Sequence, residues 1–179
     1  MNDAEQESLR IKALTRYEIL DTPPEGSFNK ITALAAKVFN VPIAIVSLVD
    51  TDRIWFKSHF GLEIDQIGRD PGLCASAILS DEIYLIEDAR KDPRSLTNPL
   101  VAGNFGLQFY AAAPLKTKDG FNIGTFCIID KKKRFINSEQ QEILKEMAGI
   151  VMENIELRLQ AREIVRDYKI KLEALELGS

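Results

Sequence analysis

Histidine and cysteine are almost missing from this chain of 179 residues, which has one of the former, His59, and two of the latter, Cys74 and Cys127. A single imidazole and two thiols without CxxC spacing assemble no Ser/His/Asp or Cys/His catalytic set, no zinc site and no disulfide framework. Both cysteines are expected as reduced thiols. Excess positive charge is also missing: 23 basic residues against 27 acidic give a net charge of −4, which removes broad attraction to nucleic acid or anionic membranes. No apolar run approaches the ~18 residues of a membrane span. The N-terminal MNDAEQESLR has neither the basic start nor the apolar core of a secretory signal. The expectation is a cytoplasmic protein with no catalytic or metal-binding residues and no cofactor, binding neither nucleic acid nor membrane.

What is present suits one cored domain with a helical extension, since 45% of residues are hydrophobic and 28% charged. Leu9, Ala13, Leu14 and Tyr17 recur at helical spacing and stop at Asp21-Thr22-Pro23-Pro24, predicting a lead-in helix within residues 1–18. A second helix is predicted from Glu25 to Phe39, with Phe28, Ile31, Leu34, Ala35 and Val38 on the stripe that packs on a sheet. Ile43 to Val49 is a continuous β-rich run. Asp52-Arg53 then turns the chain into a second strand with Ile54, Phe56, Ser58 and Phe60 on one face, and Trp55, Lys57 and His59 on a wetter one. Residues 61–72 read as a loop, Leu73 to Leu79 as a short helix, Tyr84 to Ile86 as a strand and Asp88 to Gly106 as a second long loop. Loops of that length inside a compact domain tend to bind. Phe109 to Asp130, FYAAAPLKTKDGFNIGTFCIID, alternates about a Lys-Asp-Gly turn and reads as a β-hairpin rich in small residues. The basic run Lys131 to Arg134 is expected as a solvated turn.

Four strings in fixed order, ILDTPPE at Ile19 to Glu25, PIAIVSLVD at Pro42 to Asp50, NPLV at Asn98 to Val101 and the Phe109–Asp130 hairpin, resemble a GAF domain from about Leu9 to Arg158. The variety is one found at the N-terminus of bacterial sensor kinases and cyclic-di-nucleotide enzymes. The resemblance implies an α+β fold with a central antiparallel sheet of five or six strands, N- and C-terminal helices on one face and pocket loops on the other. It places the core at residues 19–155 and a signalling helix at 156–179. It implies a sensory, non-enzymatic role: a small molecule is bound and the signal passes to an output domain of kinase, cyclase or phosphodiesterase type. The other reading is a ligand-free dimerisation and spacing module.

The residues singled out for ligand contact are Phe56, Cys74, Asp88, Arg94, Asn98, Phe109 and Tyr110. Asp88, Arg94 and Asn98 suit a small polar ligand through charge-assisted hydrogen bonds, and equally suit turn capping, since Asn98 precedes a proline. Phe109 and Tyr110 suit either a pocket wall or plain core. Bilin-binding GAF domains anchor their chromophore through a cysteine commonly followed by histidine; Cys74 is followed by Ala75 and Ser76, so it reads as a small buried residue rather than an anchor or redox thiol.

Ser138 to Leu177 carries the clearest interaction signal. Ser138 and Gln141 suit a capping box, and Ile143, Met147, Ile150, Asn154, Leu157, Ala161, Ile164, Tyr168, Lys171 and Leu175 follow in steps of four and three. This 3.5-residue period is that of a coiled coil, with Asn154 setting register, and predicts a homodimer through the C-terminal helix. The missing histidine beside Cys74 also makes a prediction: protein co-expressed with a bilin-producing pathway should show no visible absorption band that survives denaturation, and a persistent band would contradict it.

Overall fold

The computed structural model describes residues 3–177, so Met1, Asn2, Gly178 and Ser179 at the ends of the first and last predicted segments lie outside the described residues. Helix α1 spans Asp3–Arg16 and α2 Gly26–Val38; strands β1 (Ile43–Val49) and β2 (Arg53–Phe60) form a hairpin. Then come β3 (Gln66–Gly68), α3 (Leu73–Ala77), β4 (Tyr84–Ile86), α4 (Pro99–Ala102), the hairpin β5 (Phe109–Lys116) and β6 (Asn122–Asp130), and α5 (Ser138–Leu177). The six strands form one sheet in the order β3-β2-β1-β6-β5-β4, every pairing antiparallel. This is the α+β architecture expected. No helix of the described residues is long and apolar enough to cross a membrane.

Alternation along the strands divides the core in two. On the helix side, Phe28 and Ala35 of α2 meet Leu48, Trp55, Phe109 and Phe126 of the sheet. Leu144, Val151 and Ile155 of α5 join them, each contributing about 1.5–3 kcal/mol through burial. On the loop side, Ile45, Ile54, Phe56, Ile86, Tyr110 and Cys127 are roofed by Leu73, Cys74 and Ile78 of the α3 region and by Val101 and Leu107.

Four local readings are corrected. In α2 the buried stripe is Phe28, Thr32, Ala35 and Ala36, while Leu34 and Val38 stand exposed, because Thr32 turns inward to share a 2.9 Å hydrogen bond with Ser58. In β2 the two-face assignment fails at Lys57. Val46 pairs with Ser58 but Ser47 with Phe56, so Lys57 is an extra, bulged residue, and alternation is reset beyond it. Trp55, Lys57 and Ser58 therefore lie on the helix side, and His59 joins Phe56 on the other, in an edge contact of 6.4 Å. The supposedly wetter face thus contains a Lys57 side chain with no exposure at all. The cap of α5 is one residue earlier than expected: Asn137 Oδ1 accepts from the Gln140 N–H at 2.8 Å, and Gln140 Oε1 accepts from the Asn137 N–H at 3.0 Å. Finally, β3 and α4 emerge from segments expected to be wholly irregular.

One strand position admits no side chain. A Cβ on Gly124 of β6 would stand 1.9 Å from the Ser47 carbonyl oxygen of β1, a clash with backbone that cannot step aside. Gly124→Ala should therefore destabilise the domain by about 3 kcal/mol, the upper range for overpacking, measured as a lower urea midpoint with unchanged slope.

Candidate functional site

The seven residues chosen from the sequence do not form one cluster. Phe56, Cys74 and Tyr110 meet on the loop side of the sheet, all buried. Phe109, one residue before Tyr110 on the same strand, must face the other way, and packs among the helices. Arg94 and Asn98 lie at the surface on a cleft of about 860 Å³ between the two long loops, lined also by Thr51, Arg69, Ser76 and Thr97. Asp88 is outside its lining; its backbone carbonyl accepts from the Lys91 and Asp92 N–H groups.

The cleft's rim is held by specific bonds. Asn98 caps α4, its Oδ1 accepting from the Leu100 N–H at 2.9 Å, and its amide Nδ2 donates to the Pro71 carbonyl at 2.7 Å, joining one loop to the other. Of the two roles foreseen for Asn98, the structure shows the turn cap. Arg94 lies over the Tyr84 ring at 4.8 Å, donates to the Leu85 carbonyl at 2.6 Å and pairs with Asp92 at 2.6 Å. The hydrogen bond from Arg94 lowers the Asp92 carboxyl against the effect of burial. Arg69, missed in the sequence, donates to Glu7 of α1 at 2.7 Å and to the Asp50 carbonyl at 2.9 Å. Such a rim can bind a small polar molecule by charge and hydrogen bonding. Among the described residues, no group of three or more His, Cys, Asp or Glu is placed to hold a metal ion.

Beneath the cleft, the Tyr110 hydroxyl donates to Cys74 Sγ at 3.2 Å, and the hydroxyls of Ser47 and Thr125 are 2.9 Å apart. Cys74 and Cys127 lie in the same buried layer. The neighbouring Cys127, with Ser47, Thr125 and Tyr110, lowers the Cys74 thiol against burial, while Cys74 and burial push Cys127 up. Burial first, then the two sulfurs, raises the Tyr110 phenol. His59 Nε2 donates to Asp65 Oδ1 at 3.0 Å, a surface role.

A second polar assembly ties the sheet to α5. The Lys57 ammonium donates to Thr22 Oγ1 and the Pro23 carbonyl, both at 2.9 Å, and to Glu25 at 2.8 Å; Glu25 also accepts from Arg158 Nε of α5 at 2.9 Å. Burial lowers the Lys57 ammonium, opposed by Glu25. Nearby, Tyr17 at the end of α1 donates to Glu156 at 2.7 Å, and the Glu18 carbonyl accepts from Arg158 and Arg162.

A six-stranded antiparallel sheet with helices from both chain ends on one face and long loops roofing the other defines a GAF-like α+β sandwich. A profile of the GAF domain family matches residues 23–155. The chain belongs to the GAF domain family, a family of sensory modules in signalling proteins. It is 37% identical over 152 residues to a cyclic di-GMP phosphodiesterase of Pseudomonas aeruginosa, matching 84% of this chain but spanning only 26% of that relative. Among solved structures it resembles the GAF domain of an Acinetobacter phosphoenolpyruvate-protein phosphotransferase, with TM-score 0.62, 15% identity, and 87% of this chain and 95% of the other covered. It also resembles a free methionine-R-sulfoxide reductase of Neisseria meningitidis, with TM-score 0.63, 18% identity, and 90% and 95% covered.

The Glu7 contacts make a pH prediction. The hydrogen bond from Arg10, opposed by burial and reinforced by Arg69, holds the Glu7 carboxyl at about 2 against an ordinary 4.5. A depressed folded-state value stabilises fully above the unfolded value and is lost as pH falls through the folded one. The urea midpoint of wild type should exceed that of Glu7→Gln at neutral pH, and the difference should shrink as pH falls from about 4.5 toward about 2.

Proposed function

We propose that the chain is a regulatory GAF domain in which a small polar molecule occupies the cleft between the two long loops and α5 carries the response to an output domain. The observation that carries this reading is the position of α1. Arg69 of the cleft is ion-paired to Glu7 near its start, and Tyr17 and Glu18 just beyond its end are hydrogen-bonded to Glu156, Arg158 and Arg162 of α5. A ligand that draws Arg69 toward itself competes with Glu7 and loads α1, which bears on α5. Such coupling requires two arrangements of different ligand affinity, with α1 the element that both sites bias. The named activity of the Pseudomonas relative supports an output of phosphodiesterase type; the domain itself is regulatory, not catalytic.

The output is reached, in this reading, through a parallel homodimer. From Gln160 to Glu176 every residue of α5 is exposed, and the stripe of Ile150, Leu157, Ile164 and Tyr168 lies beside the one that packs on the sheet. At 1.5 Å per residue, the 40-residue helix is about 60 Å long, and its packing against the core ends at Leu159. Contiguous exposed apolar surface of this kind suits a second copy. The competing reading, a dimerisation and spacing module without ligand, is favoured by the loop-side sheet face, where Phe56, Cys74 and Tyr110 are packed under α3.

A thermal-shift screen of a broad metabolite panel separates the two. A cleft ligand binding only the folded state should stabilise by about 2.7 kcal/mol at a hundredfold excess over its dissociation constant. Arg94→Ala should weaken that ligand at least severalfold. A panel with no shift leaves the spacing module as the better account.

A further inference from the structure

Helix α2 and the first half of α5 lie side by side on the sheet and run in opposite directions. Glu25 at the start of α2 accepts from Arg158, well along α5, and the Asn40 carbonyl just past the end of α2 accepts from Arg134, shortly before α5 begins. Their inner stripes are buried in the helix-side core. Their outer faces carry one pattern twice, with opposite charge: Lys30, Leu34 and Lys37 are exposed on α2 with Ala33 half-buried among them, and Glu146, Gly149, Ile150 and Glu153 are exposed on α5 at the same spacing. The neighbouring ion pairs go elsewhere, Lys145 to Glu82 and Glu142 and Arg158 to Glu25, which leaves Lys30, Lys37, Glu146 and Glu153 without an ion pair among the described residues. Gly149 is a second, separate sign. Glycine inside a helix costs stability relative to alanine, yet a Cβ added at Gly149 would meet nothing within 4 Å, so no contact in its own chain requires the missing side chain.

We propose that these outer faces dock a second copy of the chain, with α2 of each protomer lying antiparallel on α5 of the other. The inference rests on the paired α5 helices proposed above and extends their seam onto the domain. A two-fold axis along that helix pair sets the two helix layers face to face and exchanges the places of α2 and α5, so each meets its opposite. In the register that sets Lys30 against the partner's Glu153, Lys37 falls on the partner's Glu146, Leu34 on the partner's Gly149 and Ala33 on the partner's Ile150. Every lysine then meets a glutamate, and each large apolar side chain meets a small residue, which lets the helices approach closely. The alternatives are disfavoured by charge: α5 laid on α5 over this stretch sets glutamate against glutamate, and α2 laid on α2 sets lysine against lysine. The contact is small for a stable interface, and it depends on the helix pair beyond Leu159 to bring it together.

Charge reversal on the full chain tests this surface, with the dimer dissociation constant read by sedimentation equilibrium at low salt and circular dichroism confirming that each variant is folded. Lys30→Glu with Lys37→Glu should weaken association by about tenfold, and Glu146→Lys with Glu153→Lys should do the same. All four changes together should restore it, because the pairs are re-formed with their signs exchanged. Position is tested by mixing a Leu34→Cys chain with a Gly149→Cys chain carrying a different tag. Oxidised under native conditions, the mixture should give a cross-linked heterodimer that neither chain forms alone. A full chain that dimerises but is indifferent to the reversals, or is not restored by their combination, overturns this docking and leaves the α5 pair standing. A full chain that is monomeric overturns both.

Discussion

A buried ammonium organises this domain. The bulge in β2 turns Lys57 into the helix-side layer, where its side chain is fully enclosed, and a charge taken out of water without partners costs several kcal/mol. Its partners come from elsewhere in the chain: a hydroxyl and a carbonyl from the α1–α2 linker, and the Glu25 carboxylate, which also holds Arg158 of α5. The linker, the sheet and the long helix must therefore converge on one point. The Phe28 ring lies 5.4 Å from the same ammonium and closes the site on the α2 side. The Glu18 contacts to Arg162 and Arg166 extend this junction along α5.

The two faces of the sheet differ in kind. The helix side is dominated by packing, with Phe109, Phe126 and the inner stripe of α5 against it. On the loop side a packed floor lies beneath a polar cleft, with the two cysteines in the floor and Arg69, Arg94 and Asn98 around the opening. The polar cleft thus sits on loops held by a few side-chain bonds, above a packed core.

Most of the fold was legible in the chain. The strand β1, the short strand β4, the small-residue hairpin and the full length of α5 stand where hydrophobic period and turn residues put them. Periodicity failed at Lys57, because a bulge resets alternation with no local sign beyond a charged residue in an apolar strand. It misassigned Leu34 and Val38, because a buried Thr32–Ser58 hydrogen bond, a partnership across 26 residues, decided which stripe of α2 turned inward. The site was less legible. Local pattern could nominate Asn98 as a cap, but the placing of Cys74 in the same buried layer as Cys127, 53 residues later, depends on how α3 folds back over the sheet. Arg69 carried no motif, and its place on the cleft follows from Glu7 near the other end of the domain.

The proposed signalling role rests on the exposed half of α5 pairing with a second copy to carry the response outward. Light scattering coupled to size exclusion, on the full chain and on a chain ending after Leu159, which keeps Ile155 and the Arg158 junction, decides it. The first should be a dimer and the second a folded monomer, since four partly buried apolar side chains per chain at about 1.5–3 kcal/mol each outweigh the loss at Asn154 and Lys171. A full-length monomer at concentrations of tens of micromolar would contradict it.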